Sequence, residues 1–384
     1  MNYIFKLDFW LGISLGLGSM TALRFIGPIG ISELILLLVV LIMILKRPQA
    51  LFSFNLNSFG IFKYYMLATF FIFLPLATLI NMNYGYENHA QPLYLISFSF
   101  SAILVLLCAE FFKTNRLSLK LVTYAFATGF ILPNLFVLIF GIEPSFQSTG
   151  RYAGVAENPN QITFYSAPLM LMLSLYATKY KYTLMGLTLL ITLLTASDAY
   201  LLYVFIVLAA YTLMIIFANK NLSFVARLLF SVSILIIFCA SILILFNQEL
   251  ILLWRTADEA GSRFQLIYHG IYAAIESPLI GHGAGRFSGI SAPFLGWEAH
   301  NTPIDLMTNF GLIFPFILYV IVVLAAINLF KYKQYLSSSL VIGFIESTIF
   351  HYSARHFIFW FLISVLCLIV FRLTKEKSFI KKTS

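Results

Sequence analysis

An all-α polytopic membrane protein of about twelve transmembrane helices is the fold that the sequence predicts, and three observations predict it. Hydrophobic residues make up 61% of the 384 and charged residues only 10%, well below the roughly 25% charged residues of a soluble domain. Apolar runs of about 20 residues, each long enough to cross a hydrocarbon core, recur along the chain. Backbone groups in lipid must be paired within their own segment, so such runs are helices. The short alternating segments of a barrel do not occur.

The spans fall near 9–25, 29–45, 62–80, 93–112, 120–141, 161–178, 182–197, 199–218, 224–246, 303–329, 336–352 and 356–372. The first is expected to stay as a helix rather than act as a cleaved signal. Asp8 follows Lys6, the stretch after it is glycine-rich, and no small-residue cleavage site stands out. Basic residues then set the orientation. Lys46/Arg47, Lys63, Lys113/Arg116/Lys120, Lys179/Lys181, Lys220/Arg227, Lys331/Lys333 and the tail from Arg372 to Lys382 alternate onto one side. By the positive-inside rule that side is the cytoplasm, with both termini on it. The net charge of +9 resides in these short clusters, which is loop charge and implies no nucleic-acid partner.

The outer side receives the connections 81–92, 142–160, 247–302 and 352–356. The chain reads as one integral membrane domain over 1–384, with 247–302 as a large extracytoplasmic loop between the ninth and tenth spans. A loop of that length is usually functional. The topology also sorts the basic residues by type. All 14 lysines fall inside, whereas Arg24, Arg151, Arg255, Arg263, Arg286 and Arg355 fall outside with all six histidines, His89, His269, His282, His300, His351 and His356. Arginine presents a planar fork to phosphate oxygens and stays charged, so the outer face suits an anionic phosphate ligand and acid–base chemistry. Cys108, Cys239 and Cys367 lie in apolar segments and read as buried thiols rather than a disulfide framework or metal cluster.

Within the loop, residues 262–276 have the spacing of an amphipathic helix: Phe264, Ile267, Tyr268, Ile271 and Ile275 share one face. Ser262 is its expected N-cap, with Arg263 in the first turn, where free amides favour an anion. Pro278 ends it. Gly281-His282-Gly283-Ala284-Gly285-Arg286 is expected to be a structural turn, with an anion-binding nest of amides as the alternative. In Glu298-Ala299-His300-Asn301-Thr302-Pro303-Ile304-Asp305, Thr302 is the expected N-cap, Pro303 the first helical residue, and Asp305 the return arm of a capping box. That arrangement holds the His300 imidazole at the outer membrane boundary, where its near-neutral titration suits a general base. Glu298 or Asp305 would orient it.

Three acids draw attention. Asp198, in Ser197-Asp198-Ala199, lies either in a tight outer turn or within the membrane, where a carboxylate marks function. Glu346 lies inside a span, with Arg355 or Arg24 as its expected partner, and Glu33 on the second span is similar.

Arg263…Glu276-Ser277-Pro278-Leu279-Ile280-Gly281-His282-Gly283, then His300-Asn301 and Gly311, resembles the O-antigen polymerase and O-antigen ligase superfamily. Arg151-Tyr152-Ala153-Gly154…Asn158-Pro159-Asn160 resembles that family's other outer motif, and Arg24…Gly30-Ile31-Ser32-Glu33 its opening helices. The likeness covers most of the chain. It implies a GT-C-like membrane glycosyltransferase that uses undecaprenyl-diphosphate-linked oligosaccharide, without cofactor or metal. A chain-length regulator or flippase of the same pathway would be its protein partner. Carried over by motif, His300 is the base and Arg263 a diphosphate ligand, with Asn301 beside them. The family's second arginine would follow Ser197, where this chain has Asp198. Arg151, Arg255, Arg286 or Arg355 would then replace it. The activity implied is polymerisation of surface polysaccharide by inverting transfer onto a lipid-linked repeat unit. A ligase would use lipid A-core as acceptor instead. A transporter or flippase is the competing class, and it would depend on Glu33 and Glu346 rather than on His300 and Arg263.

Overall fold

A computed structural model describes residues 6–21, 24–26, 29–49, 58–83, 91–141, 151–156, 158–233, 259–289, 296–351 and 353–373. Among these the chain is helical apart from one short antiparallel pair, Arg24–Ile26 with Ile29–Gly30. Among the described residues five helices are long and apolar enough to cross a membrane: Gly60–Met82, Leu93–Lys113, Leu119–Phe140, Asp198–Ala218 and Ile313–Lys331. Shorter apolar helices include Leu7–Leu17, Lys181–Leu193, Phe224–Ser233 and Tyr335–Phe350. Large side chains such as Leu38, Leu45, Ile139 and Phe316 stand exposed, as a surface in contact with lipid requires.

Several predicted spans differ in their ends. The first helix stops at Leu17, and the chain passes through the β pair before Ile31–Lys46. Glu33 sits in the first turn of that helix, where its carboxylate accepts hydrogen bonds from the Gly30 N–H (2.9 Å) and the Ser32 hydroxyl (2.6 Å). It is a helix cap rather than an acid awaiting an ionic partner in the membrane. The predicted span 224–246 is described only to Ser233, and Cys239 lies outside the described residues. Cys108 and Cys367 are buried free thiols. The predicted span 303–329 is two helices, Thr302–Phe310 and Ile313–Lys331. The break falls at Gly311, whose φ is +76°, and a Cβ there would lie 2.6 Å from the Leu279 carbonyl. The Leu312 N–H then bonds to Pro278 O at 2.7 Å. The helix Ser58–Ala68 continues into Leu74–Asn83 through a π turn, Thr69–Phe73.

The chain forms two compact units, residues 1–60, 103–201 and 356–384 in the first and 61–102 and 202–355 in the second. The first is organised by a close helix crossing. Gly12 and Gly16, one turn apart on Leu7–Leu17, lie against Leu119–Phe140. A Cβ at Gly12 would meet Val122 O at 2.4 Å, and one at Gly16 would meet the Gly129 carbonyl carbon at 2.5 Å. Small residues four apart let backbones approach, the usual device where lipid supplies no hydrophobic drive between helices. Asp8 strengthens the crossing by accepting the Ser118 N–H (3.2 Å) at the start of the longer helix. Gly16→Val is expected to force the two backbones apart and destabilise the protein by about 1–3 kcal/mol. An unchanged midpoint of thermal unfolding in detergent would refute this packing argument.

The second unit is built on an aromatic cluster. Phe310 contacts Phe70, Phe98 and Phe314 at ring-centroid distances of 5.1, 5.0 and 4.7 Å. Such offset and edge contacts add stability beyond area burial. They anchor the short Thr302–Phe310 helix, and through it the residues just before it.

Candidate functional site

The segment preceding Thr302–Phe310 is fixed by its polar groups. Asn301, not Thr302, is the N-cap: its side-chain oxygen accepts the Ile304 N–H at 3.1 Å. Thr302 is instead the first helical residue. Its hydroxyl donates to His351 O, lies 2.7 Å from the Ser353 hydroxyl, and accepts the Ser353 N–H at 2.7 Å. Thr302 therefore staples the segment that leads to Arg355 onto the start of the helix.

Asp305 is 3% exposed and reaches back further than a capping-box arm. It accepts the Ala299 N–H at 3.0 Å, the Asn301 N–H at 3.3 Å and the Ser288 hydroxyl at 3.3 Å. The two backbone bonds bracket His300, which is exposed and has a left-handed φ of +51°. A non-glycine residue in that region is uncommon and costs free energy. Asp305 thus positions His300 through the main chain on either side of it.

Burial, reinforced by the nearby negative charge of Glu298, pushes the Asp305 carboxyl up to about 7 from 3.8, against its three hydrogen bonds. The folded state thus favours the protonated acid more than the unfolded chain does. Its contribution to stability is full below about pH 4 and is lost as pH rises through about 7. Thermal unfolding of wild type and Asp305→Asn is expected to show the variant gaining stability relative to wild type across that window. A pH-independent difference would exclude this titration.

Glu298 is the centre of the second cluster. It is 5% exposed, and its Oε1 receives three donors: the Tyr94 hydroxyl, Arg286 Nε at 3.2 Å and Arg355 Nη1 at 3.0 Å. Arg286 Nε also donates to the Tyr94 hydroxyl at 2.9 Å, and its guanidinium lies 5.6 Å from that ring's centre. Glu298 Oε2 is buried without a hydrogen-bond partner among the described residues. The guanidinium-bearing side chains are 40% and 36% exposed. Two cations on one buried anion leave a net positive charge on partly exposed guanidiniums, and Arg286 Nη1 also donates to Gly296 O at 3.4 Å. Such an arrangement can bind an anion bidentately.

Neighbouring backbone places each member. The Gly289 N–H bonds to Trp297 O at 3.0 Å and the Gly296 N–H to Gly289 O at 2.9 Å, which returns the chain beside Arg286. The Gln91 N–H bonds to Ala284 O at 2.9 Å, setting the first turn of Pro92–Lys113 and so Tyr94 next to that arginine. The Ser97 hydroxyl holds Arg355 O at 3.3 Å. Tyr94 is the member that sequence reasoning missed. Its only signal was a phenol near the start of an apolar span, and a buried hydroxyl needs a partner.

The glycine loop answers the question the sequence left open. Its amides are already bonded: Gly281 to Ser277 O, His282 to Thr308 O and Gly283 to Asn309 O, Ala284 to the Thr78 hydroxyl and Gly285 to the Asn309 side chain. It is a packing turn, with the five successive amides from Gly281 to Gly285 spent on protein acceptors rather than open to an anion. A Cβ at Gly283, where φ is +87°, would lie 2.3 Å from Thr78 N. His282 is buried, and its Nε2 lies 2.7 Å from Ala273 O. Burial lowers its pKa, which marks a structural imidazole. Asn81 donates to His282 O at 2.8 Å.

The other predicted residues are dispersed. The helix expected from Ser262 begins at Glu259, so Ser262 lies within it and Arg263 follows in the next turn, with Arg263's side chain outside the described residues. Arg255 and His89 also lie outside them, as does the side chain of Arg24. Arg151 belongs to the first unit, where it donates to Thr195 O at 3.0 Å and Asn160 Oδ1 at 3.2 Å. The Ser197 hydroxyl shares that Asn160 oxygen at 3.1 Å. Arg151 therefore braces the turn before Asp198, which is exposed as the first residue of the helix Asp198–Ala218. Arg355 pairs with Glu298 and not with Glu346. Among the described residues no three His, Cys, Asp or Glu side chains gather as a metal site would require.

Apolar helices of these lengths are those of a helical membrane protein. No family model and no curated protein matches the chain.

Proposed function

We propose that the chain is a GT-C-like membrane glycosyltransferase that polymerises surface polysaccharide (O-antigen, capsule or exopolysaccharide), moving glycan from undecaprenyl diphosphate onto a lipid-linked repeat unit. One observation carries the reading. Arg286 and Arg355 converge on buried Glu298, two residues before an exposed His300 whose backbone is pinned on both sides by Asp305.

His300 takes the proton of an acceptor sugar hydroxyl as that oxygen forms a bond to the anomeric carbon. The bond from that carbon to the diphosphate oxygen breaks in the same step, with inversion, and the lipid diphosphate leaves as an anion. The guanidiniums of Arg286 and Arg355, which are 40% and 36% exposed, stabilise the charge developing there. Glu298 and Tyr94 hold the two guanidiniums in place despite their mutual repulsion. Arg263 is a further ligand implied by the family resemblance, and Asn301 acts by capping the helix behind His300. In this reading the site faces the outside of a bacterial inner membrane, both termini are cytoplasmic, and a chain-length regulator or flippase is the protein partner.

The test is transfer by the purified protein from a synthetic undecaprenyl-diphosphate oligosaccharide, resolved as a ladder on a gel. A ladder supports polymerisation. Product only when lipid A-core is added makes the chain a ligase. Silence under both favours the second reading, a polysaccharide transporter or flippase, for which the buried Glu346 is the specific observation.

A further inference from the structure

Glu346 is the one acidic residue of the helix Tyr335–Phe350, and that helix lies outside the cluster around Glu298. It is 5% exposed, and neither carboxyl oxygen meets a hydrogen-bond partner among the described residues. The hydroxyls beside it are committed elsewhere. Ser347 donates to Phe344 O at 2.9 Å and Thr348 to Ile345 O at 2.6 Å, while the Tyr319 hydroxyl lies 2.8 Å from that of Thr348. One turn earlier, Gly343 admits a neighbouring helix so closely that a Cβ would meet Val207 at 2.5 Å and the Tyr203 ring at 2.7 Å.

The helices packed against this one carry few groups that titrate. They are Tyr319 and Lys331 on Ile313–Lys331, Asp305 on Thr302–Phe310, and Asp198, Tyr200, Tyr203 and Tyr211 on Asp198–Ala218, while Tyr335 begins Glu346's own helix. His351 follows at the end of Glu346's own helix. Lys331 is the last residue of its helix, just before the turn into Tyr335, about three helical turns from Glu346. Arg355 is held by Glu298. A bare carboxylate without donor or cation in an apolar interior is strongly disfavoured, and a neutral acid far less so.

We propose that Glu346 is a proton-binding site in the helical part of the second unit. Its carboxylate takes up one proton as the unit folds, and the carboxylic acid gives that proton up only when a rearrangement carries the side chain to water or to a cation. Such a rearrangement would be coupled to proton concentration, whether or not the protein transfers glycan.

The test uses the full chain in liposomes at neutral pH and needs no activity. Infrared spectra of wild type and Glu346→Gln are compared, and wild type is treated with dicyclohexylcarbodiimide, which adds to protonated carboxyls in apolar surroundings. The expected result is a carboxylic-acid carbonyl band lost in Glu346→Gln, with the covalent adduct mapped to the peptide holding Glu346. Loss of a carboxylate band instead, or no adduct at Glu346, overturns the proposal. If Glu346→Gln fails to fold, the adduct on wild type decides alone.

Discussion

Alanine at His300 is expected to lower glycosyl transfer by about 10²–10⁴-fold, the usual contribution of a general base, while leaving the fold intact. The side chain is exposed, so its loss opens no cavity. The backbone strain at φ +51° belongs to the position and not to the imidazole, and Asp305 continues to hold the N–H groups of Ala299 and Asn301 in the variant. His300→Asn is the control, because asparagine tolerates left-handed backbone well. It should match wild type in thermal stability and match alanine in inactivity. Wild-type ladders from either variant would remove His300 from the mechanism. A parallel fall in stability and activity would make it a structural residue.

Glu298→Ala is expected to be nearly as severe, and in two measurements at once. It removes the anion that receives Arg286, Arg355 and Tyr94, leaving two guanidiniums facing each other without a counter-charge. Hydrogen bonds to a charged group contribute about 1.5–3 kcal/mol. Both arginines reach water and can relax outward, so a loss of about 1–3 kcal/mol of stability is expected rather than the larger cost of a sealed ion pair. Transfer should fall by about 10²-fold or more, as when a preorganised donor to a developing anion is lost. Tyr94→Phe provides the graded comparison, since it removes one donor and keeps the charges. An active Glu298→Ala enzyme would show that the arginines do not act together.

Long, strongly apolar segments were legible in the sequence because length and hydropathy are local properties. The break at Gly311 was not, because it depends on Leu279 crossing where a Cβ would stand. The N-cap was misassigned by one residue for a similar reason. Asn301 and Thr302 are both good caps by type, and the choice is made by His351 and Ser353, which take the Thr302 hydroxyl from far along the chain. Arg286, Glu298, Arg355 and His300 were legible as residues but not as a constellation. Glu298, one of two acids expected to orient His300, gathers two arginines, and Arg355, expected either beside Glu346 or at the diphosphate, is one of them. Tyr94 could not be found at all, because nothing in its own helix distinguishes a phenol that reaches an ion pair from one that faces lipid.

The π turn at Thr69–Phe73 sets the angular phase of everything after it on its helix. A single additional residue in one turn rotates the following face by about 100° relative to the preceding one. Phe70, within that turn, points into the aromatic cluster, whereas Thr78 and Asn81 beyond it meet the glycine loop. One helix therefore serves two neighbours that an uninterrupted α-helix of the same sequence would present at the wrong bearing. The alignment of the loop that carries Arg286 is in this sense set by a change of winding two turns upstream of Thr78.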